Sequence, residues 1–195
     1  MSYVGLEFAG DQTQQHLGGN IKSGDPFTYC PTVWNYLIER FCISSVLDLG
    51  SGSGNSAEYF FRKGMKTLAV DGFAPNVLSS LYPAILHDLT SGPVNTKVDL
   101  VHCQEVVEHI EEKFLENLLR SLICGKVIVM THALPGQAGY HHVNLQPSEY
   151  WVNHLARHGC VLLEEDTRRM RAFAKADGAR YVEQTGMVFL NRARI

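Results

Sequence analysis

Several short apolar runs in this 195-residue chain end at side chains able to bind a polar ligand. Val46-Leu47-Asp48, Ala69-Val70-Asp71 and Ile85-Leu86-His87-Asp88 close on carboxylates, and Val98 to Cys103 leads into Gln104 and Glu105. A carboxylate at such a tip accepts hydrogen bonds from hydroxyls and amines. A second reactive group is concentrated in one stretch, His132-Ala-Leu-Pro-Gly-Gln-Ala-Gly-Tyr140-His141-His142-Val-Asn144. Imidazole titrates near neutrality, so His132, His141 and His142 are candidate bases for deprotonating an oxygen nucleophile. A metal-assisted alternative through His141, His142 and Asn144 lacks an accompanying acidic cluster, so no metal is expected.

Directly after Asp48, glycines alternate in Gly50-Ser51-Gly52-Ser53-Gly54. Without a Cβ, glycine lets a ligand approach bare backbone. A helix opening at Asn55 would present unpaired amides there. The dinucleotide fingerprint requires a third glycine three residues after the second, where Asn55 stands instead. Asp48 would also repel a pyrophosphate and suits ammonium or hydroxyl donors.

These groups need elements to hold them. Apolar runs at 46–49, 67–71, 83–89, 98–103, 125–131, 160–163 and 187–190 have the length of strands. Between them lie helical patterns over Pro31–Phe41, 55–63, 74–81, from Gln104 to about Ile123, from Pro147, and a basic one over Thr167–Ala176. Alternating strands and helices predict an α/β domain with a mostly parallel sheet. Ligands of such sheets bind beyond the carboxyl ends of the strands. The His132–Asn144 stretch, rich in small residues, is therefore read as a substrate lid. Residues 1 to about 30 are rich in glycine and glutamine. They form either a flexible tail or an arm over the ligand that brings His16, Tyr29 and Trp34 close.

Composition narrows the class of partner. The net charge of -3 gives no general attraction to nucleic acid or to an anionic membrane. Neither a leader pattern nor an apolar stretch long enough to span a bilayer is evident. The five cysteines are scattered and lack a Cys-x-x-Cys pair, as suits reduced thiols in a cytoplasmic protein.

Asp48-x-Gly50-x-Gly52-x-Gly54 resembles motif I of the class I S-adenosylmethionine-dependent methyltransferases. Asp99-Leu-Val-x-x-x-x-Val-Val-Glu108-His109-Ile110 resembles that family's motif IV with its following Glu-His. The resemblance implies a Rossmann-like methyltransferase fold, with a seven-stranded mostly parallel sheet in the order 3-2-1-4-5-7-6 and helices on both faces. It implies a single domain over 1–195: an arm and helix to residue 45, a cofactor core over 46–131, and a lid with the last strands over 132–195.

It also implies S-adenosyl-L-methionine as cofactor, held around Asp48, Gly50, Ser51, Gly52 and Gly54. Asp71 would take the ribose, Gly72 and Phe73 would lie by the adenine, and Asp88 and Leu89 would meet the adenine edge. Carbonyls near His102 and Cys103 would take the ammonium, with Gln104 and Glu105 on the floor of the site. Asp99 would be structural, and Glu108 and His109 would cap and anchor the following helix. No Asn-Pro-Pro-Tyr motif follows the fourth strand, which argues against methylation of DNA bases. A small molecule or glycan, methylated on oxygen, is the expected acceptor. The alternative is a non-catalytic protein of the same fold that binds the cofactor or a partner.

Overall fold

The computed structural model describes residues 7–10 and 13–194. Residues 1–6 and 11–12 of the expected arm, and residue 195, lie outside the described residues. The arm is not wholly irregular. β1 (Phe8–Gly10) and β2 (Gly18–Ile21) form an antiparallel hairpin that periodicity does not reveal, because glycines make up much of it. α1 (Pro31–Phe41) has proline in its first turn, where the missing amide costs nothing. Its apolar stripe buries Val33, Trp34 and Leu37.

The main unit follows with β3 (Ser45–Leu49), α2 (Asn55–Arg62), β4 (Lys66–Asp71), α3 (Ala74–Ser79), β5 (Ala84–Leu86) and β6 (Val98–Cys103). α4 (Leu115–Leu122), β7 (Gly125–Met130), α5 (Ser148–Arg157), β8 (Cys160–Leu162), α6 (Glu164–Asp177), α7 (Arg180–Thr185) and β9 (Met187–Asn191) complete it. The seven-stranded sheet has the order β5-β4-β3-β6-β7-β9-β8. With the two hairpin strands counted, this is the expected topology. β9 runs antiparallel between β7 and β8, and the other pairings are parallel.

The two sheet faces bury separate clusters. Leu47, Leu49, Val101, Cys103, Ile128 and Met130 pack with α4 and α5 on one face. Val46, Leu100, Val127 and Val129 pack with Trp34 of α1 and Met170 of α6 on the other. Each fully buried aliphatic or aromatic side chain contributes roughly 1.5–3 kcal/mol relative to exposure. The strand period of two puts Asp48 and His102 on the α1 face, at matched register in neighbouring strands.

Two stretches differ from the sequence pattern. The expected continuous helix from Gln104 is broken into 3₁₀ turns at Val107–His109 and Glu112–Phe114 before α4 begins. Glu105 has φ 55°, and Ile110 and Glu111 have ψ of 115° and 144°, none of which a helix tolerates. α6 starts three residues earlier than its basic pattern, on Glu164, Glu165 and Asp166, whose charges favour a helix N-terminus. Among the described residues no helix is long and apolar enough to cross a membrane. All five cysteines are free.

Candidate functional site

A cavity of about 610 Å³ opens over the carboxyl ends of β3, β4 and β6. Its floor is the glycine turn. Gly50, Gly52 and Gly54 have φ of 73°, 53° and 80°, which side chains rarely adopt. Packing adds a second demand at two of them. A Cβ on Gly50 would sit 2.3 Å from Val106 Cγ2, and one on Gly54 would sit 2.1 Å from Ser80 Oγ. At Gly52 the nearest neighbour would be Asn20 Cβ at 4.0 Å, so that position faces the open cavity. Ser51 Oγ is buried without a partner beside it.

The acids at the strand tips are held by local donors. Asp71 Oδ2 accepts from the Gly52 amide at 2.8 Å, and Oδ1 accepts from the Phe73 amide at 2.8 Å and from Asn76 Nδ2 at 3.1 Å. Burial raises its pKa above the ordinary value, against the pull of these bonds. Asp88 accepts from the Thr90 amide and hydroxyl, both at 2.8 Å, and pairs with His16 Nε2 of the arm at 2.9 Å. Burial works to raise the Asp88 carboxyl, but the bonds from His16 and Thr90 prevail and hold it below its ordinary value.

Asp48 belongs to a buried chain. Trp34 Nε1–H can only donate, so His102 Nε2 accepts at 3.2 Å. His102 Nδ1–H then donates to Asp48 Oδ1 at 2.7 Å, while Ser56 Oγ–H donates to Oδ2 at 2.6 Å. This fixes His102 as the neutral Nδ1–H tautomer and makes Asp48 the acceptor at the end of the line.

The arm and the loop after β7 close the cavity from above. Gln104 Nε2 donates to the Thr28 carbonyl at 3.1 Å, and Leu17 Cδ2 would lie 2.7 Å from a Cβ on Gly72. Tyr140 packs on the hairpin, since a Cβ on Gly10 would meet its hydroxyl at 2.7 Å. His141 has φ 44°, and this reversal separates the paths of His141 and His142. His142 lines the cavity, with its ring 5.2 Å from that of His109 in a T-shaped contact.

Glu105, on the cavity wall, bonds the Thr131 hydroxyl at 2.8 Å through Oε1. Burial pushes its pKa up to about 7. Glu108, next to it, is shifted well up by burial and by the Glu105 charge. Burial, then the neighbouring His142 and His141, lowers His109 to about 4.

The cavity brings together most of the residues named from the sequence: Asp48, Gly50, Ser51 and Gly52, then Asp71, Gly72 and Phe73, then Asp88, Leu89, Gln104, Glu105 and His142. Four lie elsewhere. Gly54 shapes the turn from behind, and Cys103 is wholly buried in the core. His132 is 1% exposed and lies off the cavity, with Nε2 3.0 Å from Ser148 Oγ and Nδ1 3.2 Å from the Ala133 carbonyl. His141 is on the loop but outside the lining. Asp99 lies at the far end of the sheet, where it accepts from Ser44, Ser45 and Lys126. Arg168 and Arg169 of the basic helix pair with Glu165.

Motif spacing missed Asn20 and Asn76, and it named His102 only for a nearby carbonyl and His109 only as a helix anchor, whereas all four line the cavity. His102 had a usable signal, because register sets it beside Asp48. Asn20 and Asn76, bonded to each other at 3.0 Å, had none.

Comparison with known proteins agrees with this geometry. Residues 47–130 match the family described as methyltransferase domain. No curated protein sequence matches significantly. Among solved structures, a TehB-like S-adenosylmethionine-dependent methyltransferase from Corynebacterium glutamicum is 18% identical, covers 83% of this chain and 86% of its own, and has a TM-score of 0.57. Magnesium protoporphyrin IX methyltransferase from Synechocystis, with bound S-adenosylhomocysteine, is 16% identical over 67% of this chain and 71% of its own, at a TM-score of 0.55. The [4+2]-cyclase SpnF shares the fold at 14% identity, 82% and 79% coverage and a TM-score of 0.53. Seven strands in this order, a glycine turn under acid-tipped strands and the match over 47–130 together give this chain the fold of S-adenosylmethionine-dependent methyltransferases, with residues 47–130 similar to the methyltransferase domain.

Proposed function

We propose that the protein transfers a methyl group from S-adenosyl-L-methionine to an oxygen of a small-molecule or sugar acceptor. The observation that carries this reading is the junction, in one cavity, of the glycine turn, Asp71 and Asp88 with Glu105 and His142. The donor set suits the cofactor. Bare backbone at Gly52, the unpartnered Ser51 hydroxyl and a carboxylate at each of two strand tips match a ligand rich in hydroxyl and amine donors. Asp71 would hold the ribose hydroxyls, and Asp88 with Leu89 the adenine edge. Gln104 and the end of β6 would hold the amino-acid end. When bound, the cofactor supplies an electrophilic methyl on sulfonium.

The chain's own contribution is then alignment and proton transfer. Holding an acceptor in line can lower a barrier by about 7–11 kcal/mol. The acceptor hydroxyl loses its proton to Glu105 or His142, both on the cavity wall. A carboxyl at about 7 is matched to that task near neutral pH. His132 and His141 are weaker candidates for the base, since neither lines the cavity.

A turnover screen of sugars, phenols and carboxylic acids tests the reading. Formation of S-adenosylhomocysteine with at least one oxygen acceptor is expected, and its loss in Glu105→Gln. A second reading, a protein of this fold that binds the cofactor without methyl transfer, draws support from the cyclase that shares the fold. Cofactor binding without turnover across the panel would favour it.

A further inference from the structure

The acceptor wall contains polar atoms that the fold leaves unsatisfied. Glu108 has no exposed surface, and its carboxyl meets no amide or hydroxyl donor of another residue; its one side-chain partner is the neighbouring Glu105 carboxyl. His109 Nδ1 is buried and unpartnered, as is Asn144 Oδ1. Buried polar atoms left without a hydrogen-bond partner are costly to a fold. Here the buried groups converge. A Glu108 oxygen and one nitrogen each of His109 and His142 lie within 4.8 Å of one another.

The surroundings orient these atoms. His142 Nδ1 lies 3.1 Å from the Gln137 carbonyl and donates to it, which leaves Nε2 as the nitrogen able to ligate. The His142 ring lies against Gly139, where a Cβ would come within 2.1 Å of Nε2. The Val143 and Asn144 amides both donate to the Glu108 carbonyl at 3.0 Å, tying the loop that carries His142 to the turn that carries Glu108. With His109 Nδ1 unpartnered, Nε2 is the nitrogen that serves the Tyr140 and His141 carbonyls.

We propose that Glu108, His109 and His142 bind a divalent first-row transition-metal ion on the acceptor wall of the cavity. Two imidazoles and one carboxylate suit Zn²⁺, Co²⁺ or Mn²⁺ better than the all-oxygen shells of Ca²⁺ or Mg²⁺. Metal–ligand bonds of about 2.1 Å draw the three atoms to within ~4 Å of one another. That small closure falls on the loop around Gly136 and Gly139. The inference goes beyond methyl transfer, since metal binding needs neither cofactor nor acceptor. Joined to that reading, it gives His142 the role of ligand and leaves Glu105 to take the acceptor's proton. A hydroxyl bound to the metal would be more acidic.

The test is calorimetric titration of the chelator-stripped full chain with Mn²⁺, Co²⁺ and Zn²⁺, with Co²⁺ ligand-field absorption as a second readout. Saturable binding and a nitrogen-containing Co²⁺ spectrum are expected. Glu108→Gln and His142→Ala should weaken binding by more than the ~10–100-fold typical of outer-shell changes. Gly139→Ala, whose Cβ would fall on His142 Nε2, should weaken binding about as much as His142→Ala. If Glu108→Gln does not fold, His142→Ala on the loop decides. Failure of the native chain to bind any of the three ions overturns the proposal, as does equal affinity in His142→Ala, which would mean a surface site only. Titration with S-adenosylhomocysteine in parallel separates this outcome from failure of the methyl-transfer reading.

Discussion

The two halves of the cavity are built on opposite principles. On the cofactor side, each acid already has its donors: Asp48 has His102 and Ser56, Asp71 has Gly52, Phe73 and Asn76, and Asp88 has Thr90 and His16. On the acceptor side, the Glu105 and Glu108 carboxyls lie against each other in a buried wall with no amide of another residue donating to Glu108, and His109 Nδ1 has no partner. Satisfied networks rigidify a site, whereas unsatisfied buried groups cost stability until a ligand completes them. On the proposed reading, the cofactor half is thus prebuilt, and the acceptor half is completed by what it binds.

The largest effect should come from breaking the prebuilt floor. Gly50→Ala combines a positive φ with a 2.3 Å clash on Val106 and should cost about 2–5 kcal/mol, read as a fall in melting temperature. Gly52→Ala, with φ strain but open space, should cost only about 1–2 kcal/mol while blocking the ligand. Equal losses in the two would show that packing against Val106 does not matter.

Next in size is Asp71→Ala. Losing charge-assisted bonds to a bound nucleoside should weaken cofactor affinity by about 3 kcal/mol or more, on the order of 100-fold, in calorimetry. Unchanged affinity would remove Asp71 from the site.

Asp99 provides a control outside the cavity. Although partial burial opposes it, bonds from Lys126 and Ser44 hold its carboxyl well below the ordinary value. The folded pKa lies below the unfolded one, so its contribution is present above about 3.8 and is lost as pH falls through the folded value. Asp99→Asn should lower stability at pH 7 and flatten the acid limb of the stability curve, with cofactor binding intact. A last effect, confined to the buried chain behind Asp48, is expected for Trp34→Phe. It strips the donor from His102 Nε2 and should cost about 1–3 kcal/mol in denaturant unfolding, with little change in the acceptor half.

The difference between the halves also explains what could be read in the sequence. Asp48, Asp71 and Asp88 announce themselves because each closes a short apolar run, and the glycine turn because its chemistry is local. The acceptor wall depends on distant segments. Glu108 and His142 are far apart in the chain, and they meet because Glu105 and His141 take left-handed conformations and Gly139 makes room for an imidazole. With Glu108 read only as a helix cap and anchor, the histidines after β7 suggested bases and no metal. His132, the best placed by sequence at the end of β7, turns to Ser148 beneath α5. The hairpin of the arm stayed hidden because glycine carries no periodic signal, although it brings His16 and Leu17 onto the cavity.

The most direct measurement of the central claim is calorimetric titration of the native chain with S-adenosylhomocysteine beside NAD. Saturable binding of the first, lost in Asp71→Ala, with no heat from the second, is the result predicted. No binding of S-adenosylhomocysteine, or binding that Asp71→Ala leaves untouched, would contradict the account.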